Sequence, residues 1–483
     1  MFPTGKKFRF FAIFLMMTAA ILIGCDGGDG GNNDGENDGI GALDNAFGNA
    51  GVLLVEAQGQ EIISAEQDAK NQQAQVENQQ RKRELQFVNR FDTTTLRNTF
   101  RAAGDDTVEA VAIDDGNNRI AYAGISDGAV TKVLFSLSDR DGNLDNNFGG
   151  DGRVAIDVGA AAVGDVEIQG VIIDAAGIVA IGKLTTAGND DVLAVRVDLT
   201  GALDVAFGGG DGIATFDDLE AAGNVQQDEG NSALLNGANI FIARSSTFDG
   251  ATFRAGILVI DAATGAEVNN FSSDADNSTG LDAAVDSGGN IFGVGARAAG
   301  SQVFKMDAAG TLDVAFGGGD GIVDVANANF QTVVVDADDN VVIGGRDIQT
   351  TDSFLVRRLG VDGEIDPTFN PDGNGNGQDL VFEPKIGADN QFVEDVFLRG
   401  TDIAVVGGAT AAGDVLGFIV LLNAAGVQQF AFETEGLISQ DNINEDLRQG
   451  VVDGGTNRII GVGAALEVDN DGFDGVAVRI LDD

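Results

Sequence analysis

The eleven-residue string LDVAFGGGDGI occurs twice in the chain, at 203–213 and at 312–322. Each occurrence is one copy of a degenerate motif, Leu-Asp-x-x-Phe-Gly, which we call the signature. The step is 59 residues from the copy at Leu144 to that at Leu203, and 53 residues from the copy at Leu312 to a decayed copy at Ile365. A fixed period of this length is typical of propellers, solenoids and other repeat arrays. Further copies begin at Leu43 and Leu144, a decayed copy begins at Ile365, and a worn copy lies at 268–271.

The residues between signatures follow one pattern. A short β-branched run, a tight Asp/Asn/Gly turn and a second run recur seven times, for example in VIIDAAGIVAIG (171–182) and VVVDADDNVVIGG (333–345). A third run, such as VLAVRV, follows each hairpin. Asp, Asn and Gly tolerate turn conformations, and β-branched residues favour strands. Seven groups of about four strands predict an all-β fold, a seven-bladed β-propeller formed by residues 102–483.

The two ends of the repeat array complement each other. The seventh group stops at VRILDD without a signature, whereas the signature at Leu43, followed by GVLLVEA, has no strands before it. We therefore expect an N-terminal strand within 42–57 to complete the last blade and close the propeller. Closure of this kind removes exposed sheet edges.

The spacing of the signature and its hairpins resembles the delta-60 repeat of bacterial surface and secreted proteins. The resemblance covers 105–483 and 42–57, and it implies a β-propeller without implying a defined activity. Within the motif, Leu and Phe are expected to pack between blades. The Asp is expected to accept hydrogen bonds from amides one or two residues later, and the glycines to permit a sharp reversal.

The N-terminus predicts export. Residues 1–24 combine a basic start with an apolar run too short to span a bilayer, as in a signal peptide. The run ends in Leu22-Ile23-Gly24-Cys25, which resembles the lipobox of bacterial lipoproteins, so Cys25 is expected to carry lipid; a simple secretory signal is the alternative. Residues 25–41 predict a flexible acidic tether. We expect a lipid-anchored protein of the bacterial cell envelope that faces the periplasm or the exterior.

Residues 58–101 are an insertion into the repeat pattern. They are rich in Gln, Glu, Lys and Arg and predict one inserted helical segment. A cationic helix could dock against the anionic propeller or face an anionic partner, and an ordinary solvated face is the alternative. Its basic residues are Arg81, Lys82, Arg83, Arg90, Arg97 and Arg101.

Charge and composition exclude several classes of function. The formal net charge is −48, which repels phosphate backbones and argues against nucleic-acid binding. The chain has no His and one Cys, which excludes nucleophile–histidine systems and zinc sites. Carboxylates remain as the ready acid–base groups. The sequence assigns no catalytic, cofactor-binding or metal-binding residue.

One acidic turn resembles a calcium loop. Asp139, Asp141, Asn143 and Asp145 stand at alternate positions. The equivalent segments at 198–204 and 307–313 lack the middle ligand, so the turn forms without it. An ordinary acidic turn is the main interpretation, and calcium is the alternative.

These observations favour a monomeric binding or scaffolding module, held at the membrane through Cys25 and recognising a protein or a glycan. The alternative is a carboxylate-dependent enzyme, for example one acting on glycans, with its site in the propeller funnel. Sugar sites often use aromatic platforms, and the chain has one Tyr and no Trp, which weighs against the enzyme.

Overall fold

The computed structural model describes residues 106–481 with short gaps, together with three N-terminal strands: β1 (Ala42–Leu43), β2 (Val52–Glu56) and β3 (Asn89–Asp92). Cys25, the tether and most of the 58–101 insertion lie outside the described residues. Among the residues described, no helix is long and apolar enough to cross a bilayer.

Residues 106–433 form six blades, each a four-stranded antiparallel sheet whose strands follow one another in chain order. The first three blades are β4 (Asp106–Asp114), β5 (Arg119–Asp127), β6 (Thr131–Asp139) and β7 (Arg153–Ile156); β8 (Val166–Ile173), β9 (Gly177–Thr186), β10 (Asn189–Asp198) and β11 (Ile213–Phe216); and β12 (Asp228–Asn236), β13 (Asn239–Thr247), β14 (Phe253–Asp261) and β15 (Glu267–Asp276). The next three are β16 (Asp282–Val285), β17 (Ile291–Arg297), β18 (Gly300–Met306) and β19 (Ile322–Ala326); β20 (Ala328–Val335), β21 (Val341–Asp347), β22 (Ser353–Leu359) and β23 (Asp379–Phe382); and β24 (Asn390–Arg399), β25 (Asp402–Ala411), β26 (Asp414–Leu422) and β27 (Gln428–Glu433). A 3-10 turn spans Phe316–Gly318.

The strands of the last repeat lie in a different, six-stranded sheet, here called the mixed sheet. It contains β28 (Glu445–Asp453), β29 (Arg458–Leu466) and β30 (Phe473–Leu481) together with β1, β2 and β3. The edge of β30 pairs antiparallel with β1 and β2, and β2 pairs parallel with β3. Leu43 stands opposite Ile480 in this ladder, as Leu203 stands opposite Val197 in the second blade.

The predicted fold class is wrong in two respects. Six four-stranded blades are seen instead of seven, because β30 takes its further partners from the N-terminal part of the chain and builds the mixed sheet. The inserted helical segment is also not seen: the described part of 58–101 is the strand β3. The free edge of β2 offers backbone hydrogen bonds to β3, and such pairing outweighs a weak helix propensity.

The first strand of each sheet contacts the first strand of the next, from β4 through β8, β12, β16, β20 and β24 to β28, and β28 contacts β4. The six blades and the mixed sheet therefore surround one central channel, the arrangement of a β-propeller. Apolar side chains of adjacent sheets fill the space between them. Phe135 of β6 and Ile168 of β8, for example, share one core cluster and are essentially unexposed.

At four junctions the signature joins one blade to the next. Phe148, Phe207, Phe316 and Phe369 are all completely buried, as expected for plugs between blades. The residue after each Phe donates its amide to a turn of the following blade, as in Gly208 N to Thr264 O at 3.0 Å. These contacts confirm the structural interpretation of the motif.

The glycine after the signature Phe is required by geometry. Gly208 has φ of +65°, and a Cβ there would lie 2.0 Å from the carbonyl oxygen of Ile213. In the decayed copy, Asn370 occupies this place with φ of +48°, a conformation that Asn tolerates better than most residues.

Candidate functional site

In every sheet except the fourth blade, the first strand carries a polar side chain at one equivalent position around the channel. It is the fifth residue before the hairpin turn. In six sheets, all except the fourth blade, it sits at a β-bulge: the ladder skips this residue in β4, β8, β12, β20, β24 and β28. A bulge inserts an unpaired residue and re-aims its side chain. The residues at this position are Glu109, Gln169, Asn231, Leu281, Gln331, Glu394 and Arg448.

Three of these side chains, together with Asp446, form an acidic cluster around one cation, Arg448. Arg448 donates from Nη1 to Glu109 across the junction between the mixed sheet and the first blade. It also donates from Nε to Asp446 Oδ2 at 3.0 Å. Glu394 lies close enough for its charge to interact with all three of these groups. We call Glu109, Glu394, Asp446 and Arg448 the channel cluster.

The channel cluster contains a carboxyl group whose pKa is shifted well above its usual range. Burial is the largest cause that raises the pKa of Glu394 to about 8, and repulsion from Asp446 is the second. The attraction of Arg448 opposes this shift without cancelling it. The pKa of Arg448 is raised, because Glu109 and Asp446 outweigh the effect of its burial. The cluster therefore combines a neutral acid, two carboxylates and a permanent cation in one partly exposed place.

The residue that follows this equivalent position links successive sheets. Its side chain accepts a hydrogen bond from a backbone amide of the next first strand, and this occurs at four consecutive steps around the channel. The bonds are Val333 N to Asp282 Oδ2 (2.8 Å), Val396 N to Thr332 Oγ1 (3.1 Å), Gly450 N to Asp395 Oδ2 (2.9 Å) and Val111 N to Gln449 Oε1 (2.7 Å). These side chains are at once part of the channel wall and part of the junctions that hold it.

A second set of charges lies away from the channel, at the signatures. Arg196 of β10 is 2% exposed and bridges the turn residue Asp174 (2.8 Å) and the signature residue Asp204 (3.0 Å). Its Nη1 donates to Ala262 O of the next blade at 2.9 Å. Arg358 repeats this arrangement with Asp366 and with a carbonyl of the sixth blade, at Ala424. These ion pairs hold the same turn geometry in both blades, and their role is to stabilise the fold.

The calcium candidate lies in the turn after β6. Asp139 Oδ1 accepts the amides of Asp141 and Asn143 at 2.9 and 2.8 Å. Asp145 Oδ1 accepts the amide of Asn147 at 2.9 Å, as expected for an Asx turn. In the part of the chain that is described, no three acidic side chains are grouped as a metal ion would require. Calcium at this turn stays a prediction. The predicted lipidation site, Cys25, lies outside the described residues.

The sequence interpretation did not single out any channel residue. A signal was present: when the hairpins are aligned on their turns, a polar residue interrupts an apolar strand at the same place in six of the seven. Taken one hairpin at a time, Glu109 or Glu394 resembles a solvent-facing residue of an edge strand. Only the ring arrangement turns these scattered polar residues into one site.

No protein-family model and no curated protein sequence matches the chain. Solved structures with similar folds include the Dos1 propeller (10% identity, covering 77% of this chain and 78% of that one, TM-score 0.44). Others are Sqt1 from Chaetomium thermophilum (12%, 78% and 97%, TM-score 0.39) and polysaccharide lyase Uly1 (9%, 77% and 90%, TM-score 0.46). At this level of similarity none of them bears on function, and the β-propeller assignment follows from the sheet topology itself.

Proposed function

We propose that this chain is an exported, lipid-anchored β-propeller of the delta-60 type that acts as a binding or scaffolding module in the bacterial cell envelope. The observation that carries the proposal is the channel cluster. Its side chains come from three different sheets and converge on one partly exposed place, where a partner's donor groups would meet Glu109, Asp446 and a neutral Glu394. Convergent polar groups on a rigid scaffold are typical of recognition sites.

The chemistry of the channel cluster defines the kind of group it would recognise. Two carboxylates accept hydrogen bonds, while neutral Glu394 and Arg448 donate them. A partner with both hydroxyl or amine donors and oxygen acceptors matches this set, as in a glycan or in a polar segment of a protein. Anionic polymers do not match, because the surrounding surface is strongly acidic.

Binding through the channel is tested with defined probes. Calorimetric titration with a panel of neutral and amino-sugar oligosaccharides should give saturable binding to the native chain. Glu394→Gln and Arg448→Met should weaken that binding at least tenfold. Asp324→Asn is the matched control, since Asp324 is an exposed carboxylate paired with Arg297 outside the channel. Equal loss in the control, or no binding by any probe, would count against the channel as the site.

The membrane anchor is tested separately. In a bacterial host, labelled fatty acid should be incorporated into the native chain and not into Cys25→Ser, which should be released from the membrane fraction. A native chain that takes up no label contradicts lipidation at Cys25 and leaves the channel proposal untouched.

A second candidate, a carboxylate-dependent enzyme acting on glycans, is favoured by one observation. Glu394 is a neutral acid beside the carboxylates Glu109 and Asp446, and hydrolases that cleave glycosidic bonds use such a pair of carboxyl groups with separated pKa values. Turnover of the same oligosaccharides that is lost in Glu394→Gln would replace the binding proposal by the enzyme. Binding without turnover would exclude it for those substrates.

A further inference from the structure

Three successive first strands place one hydroxyl between two carboxyl groups. Asp282 lies on β16, Thr332 on β20 and Asp395 on β24. Thr332 Oγ1 is 3.1 Å from Asp282 Oδ2 and 3.2 Å from Asp395 Oδ1. Thr332 is 2% exposed, so water does not separate these groups.

The hydrogen atoms in this arrangement can be counted. A threonine hydroxyl carries one hydrogen, and it accepts at most two hydrogen bonds. The amide of Val396 already donates to Thr332 Oγ1 at 3.1 Å. The hydroxyl hydrogen can therefore serve one of the two carboxyl groups. The other contact brings two oxygen atoms within hydrogen-bond distance, and it is attractive only if that carboxyl group supplies a hydrogen of its own.

The backbone indicates which carboxyl group is protonated. Asp282 accepts two amides, from Val333 on Oδ2 at 2.8 Å and from Ala283 on Oδ1 at 2.8 Å. Both of its oxygens are thus held in the acceptor role of a carboxylate. Asp395 accepts the Gly450 amide on Oδ2, and its Oδ1 faces the threonine hydroxyl. The amide of Val396 also lies near Asp395, but its direct hydrogen bond goes to Thr332 Oγ1 at 3.1 Å.

We propose that Asp395 and Asp282 form a proton-binding site that holds one proton at neutral pH. Asp395 carries the proton on Oδ1 and donates it to Thr332 Oγ1, and Thr332 donates its own hydrogen to Asp282 Oδ2. The pair then bears one negative charge, and every close oxygen–oxygen contact contains one hydrogen.

The charged surroundings agree with this assignment. Asp395 is faced by Asp282 from β16. Its neighbour Glu394 on the same strand interacts with Asp395 and with Asp446, Arg448 and Glu109. Burial is the main cause that raises the pKa of Asp395 to about 8, and repulsion from the charge of Asp282 is the second cause. Burial also raises the pKa of Asp282.

Infrared spectroscopy of the full chain with carbon-13 in its aspartates tests the proposal, because a protonated aspartate then gives a shifted acid carbonyl band that glutamates do not share. The native chain should show this band at pH 7 and lose it above about pH 8. Asp395→Asn should lose the band and keep the native Tm at pH 7, since the amide Nδ2 can donate to Thr332 as the acid does. Asp324→Asn should keep the band.

The matched variant Asp282→Asn separates the two carboxyl groups. Its amide nitrogen would meet a donor at either oxygen position, because both oxygens of Asp282 accept backbone amides, so its Tm should fall well below that of Asp395→Asn. The proposal is overturned if the native chain lacks the band at pH 7 or if the band survives in Asp395→Asn. It is also overturned if Asp395→Asn fails to fold or if the order of the two Tm values is reversed.

Discussion

Carboxyl groups at the signatures and in the central channel have pKa values that are shifted in opposite directions. Between blades at the signatures, a buried cation such as Arg196 binds two aspartates. Burial alone would raise the pKa of Asp174, but the hydrogen bond from Arg196 and the amides of Ala176 and Gly177 outweigh it and lower that pKa. In the channel, burial and neighbouring carboxylates raise the pKa of Glu394 and Asp395 to about 8. One region compensates charge with charge, and the other removes charge by binding protons.

The difference separates a structural region from one suited to recognition. The aspartates at the signatures are paired with a buried cation and with turn amides, so their carboxylates already serve the fold. The channel cluster keeps groups whose charge depends on their surroundings, and perturbed groups of this kind are common at functional sites. Four changes, taken from the largest expected effect to the smallest, test this division.

Phe207→Ala should be the most damaging of these changes. The side chain is completely buried between the second and third blades, and its loss leaves a cavity. We expect the free energy of unfolding to fall by about 3–5 kcal/mol, measured by chemical denaturation. Phe316→Ala, at the same place in another copy, should cost about as much. A loss below about 1 kcal/mol in both would show that the signature does not hold the blades together.

Arg196→Met should destabilise the chain by about 2 kcal/mol, less than for a fully buried pair because Asp174 and Asp204 keep contact with solvent. The variant keeps the aliphatic packing and removes the cation. Arg196→Lys is the control: it keeps the charge but not the fork geometry, so its unfolding free energy should lie between the other two. Equal stability of all three chains would contradict charge compensation at the signatures.

The stability of the native chain should fall as pH rises from about 4 to about 8. Glu394 and Asp395 have higher pKa values folded than unfolded, so the folded state binds more protons in that window and ionisation opposes folding. The lowered pKa values of Asp174 and Asp366 act the other way, and their contribution is lost as pH falls below about 4. Thermal melts across this range measure the slope.

Glu394→Gln should make that slope shallower and leave the acid limb unchanged, since glutamine does not titrate. Asp324→Asn, outside the channel, should reproduce the native profile. A Tm that rises steadily from pH 5 to pH 8 would reverse the assignment of the two regions.

Asp141→Ala should have the smallest effect. Its backbone amide, which alanine retains, makes the hydrogen bond to Asp139. We expect the unfolding free energy to change by less than about 0.5 kcal/mol, and added calcium to leave the Tm of both chains unchanged. A Tm that rises with calcium in the native chain and not in Asp141→Ala would establish the alternative interpretation of the turn.

Local features of the fold were predictable from the sequence, and features that depend on distant pairing were not. The hairpins, the buried Phe207 and the Asx turn at Asp204 follow from residue types at fixed spacing. The mixed sheet does not, because the partner of an exposed strand edge is chosen by position in space. The strand at Asn89–Asp92 shows this, since its pairing with β2 overrides a composition that favours helix.

The site was harder to predict than the fold for a related reason. Asp282, Thr332 and Asp395 are separated by 50 and 63 residues and become neighbours only because three first strands lie side by side. Each is also embedded in a strand whose pattern predicts core packing. The basic residues Arg196 and Arg358 are hidden in the same way, because each follows a run of apolar residues in a third strand.

The pairing of β2 with β30 has a consequence for how the chain reaches its folded state. Val52 stands opposite Val478, so a strand made before the six blades finds its partner only among residues made after them. Each blade can form from local hairpins as it emerges, but the mixed sheet requires the closure of a loop that contains all six blades. Until then, β2 and the first blade present unpaired backbone and apolar surface, which exposes the growing chain to aggregation. Completion of the ring is therefore expected to be the slow, final step of folding.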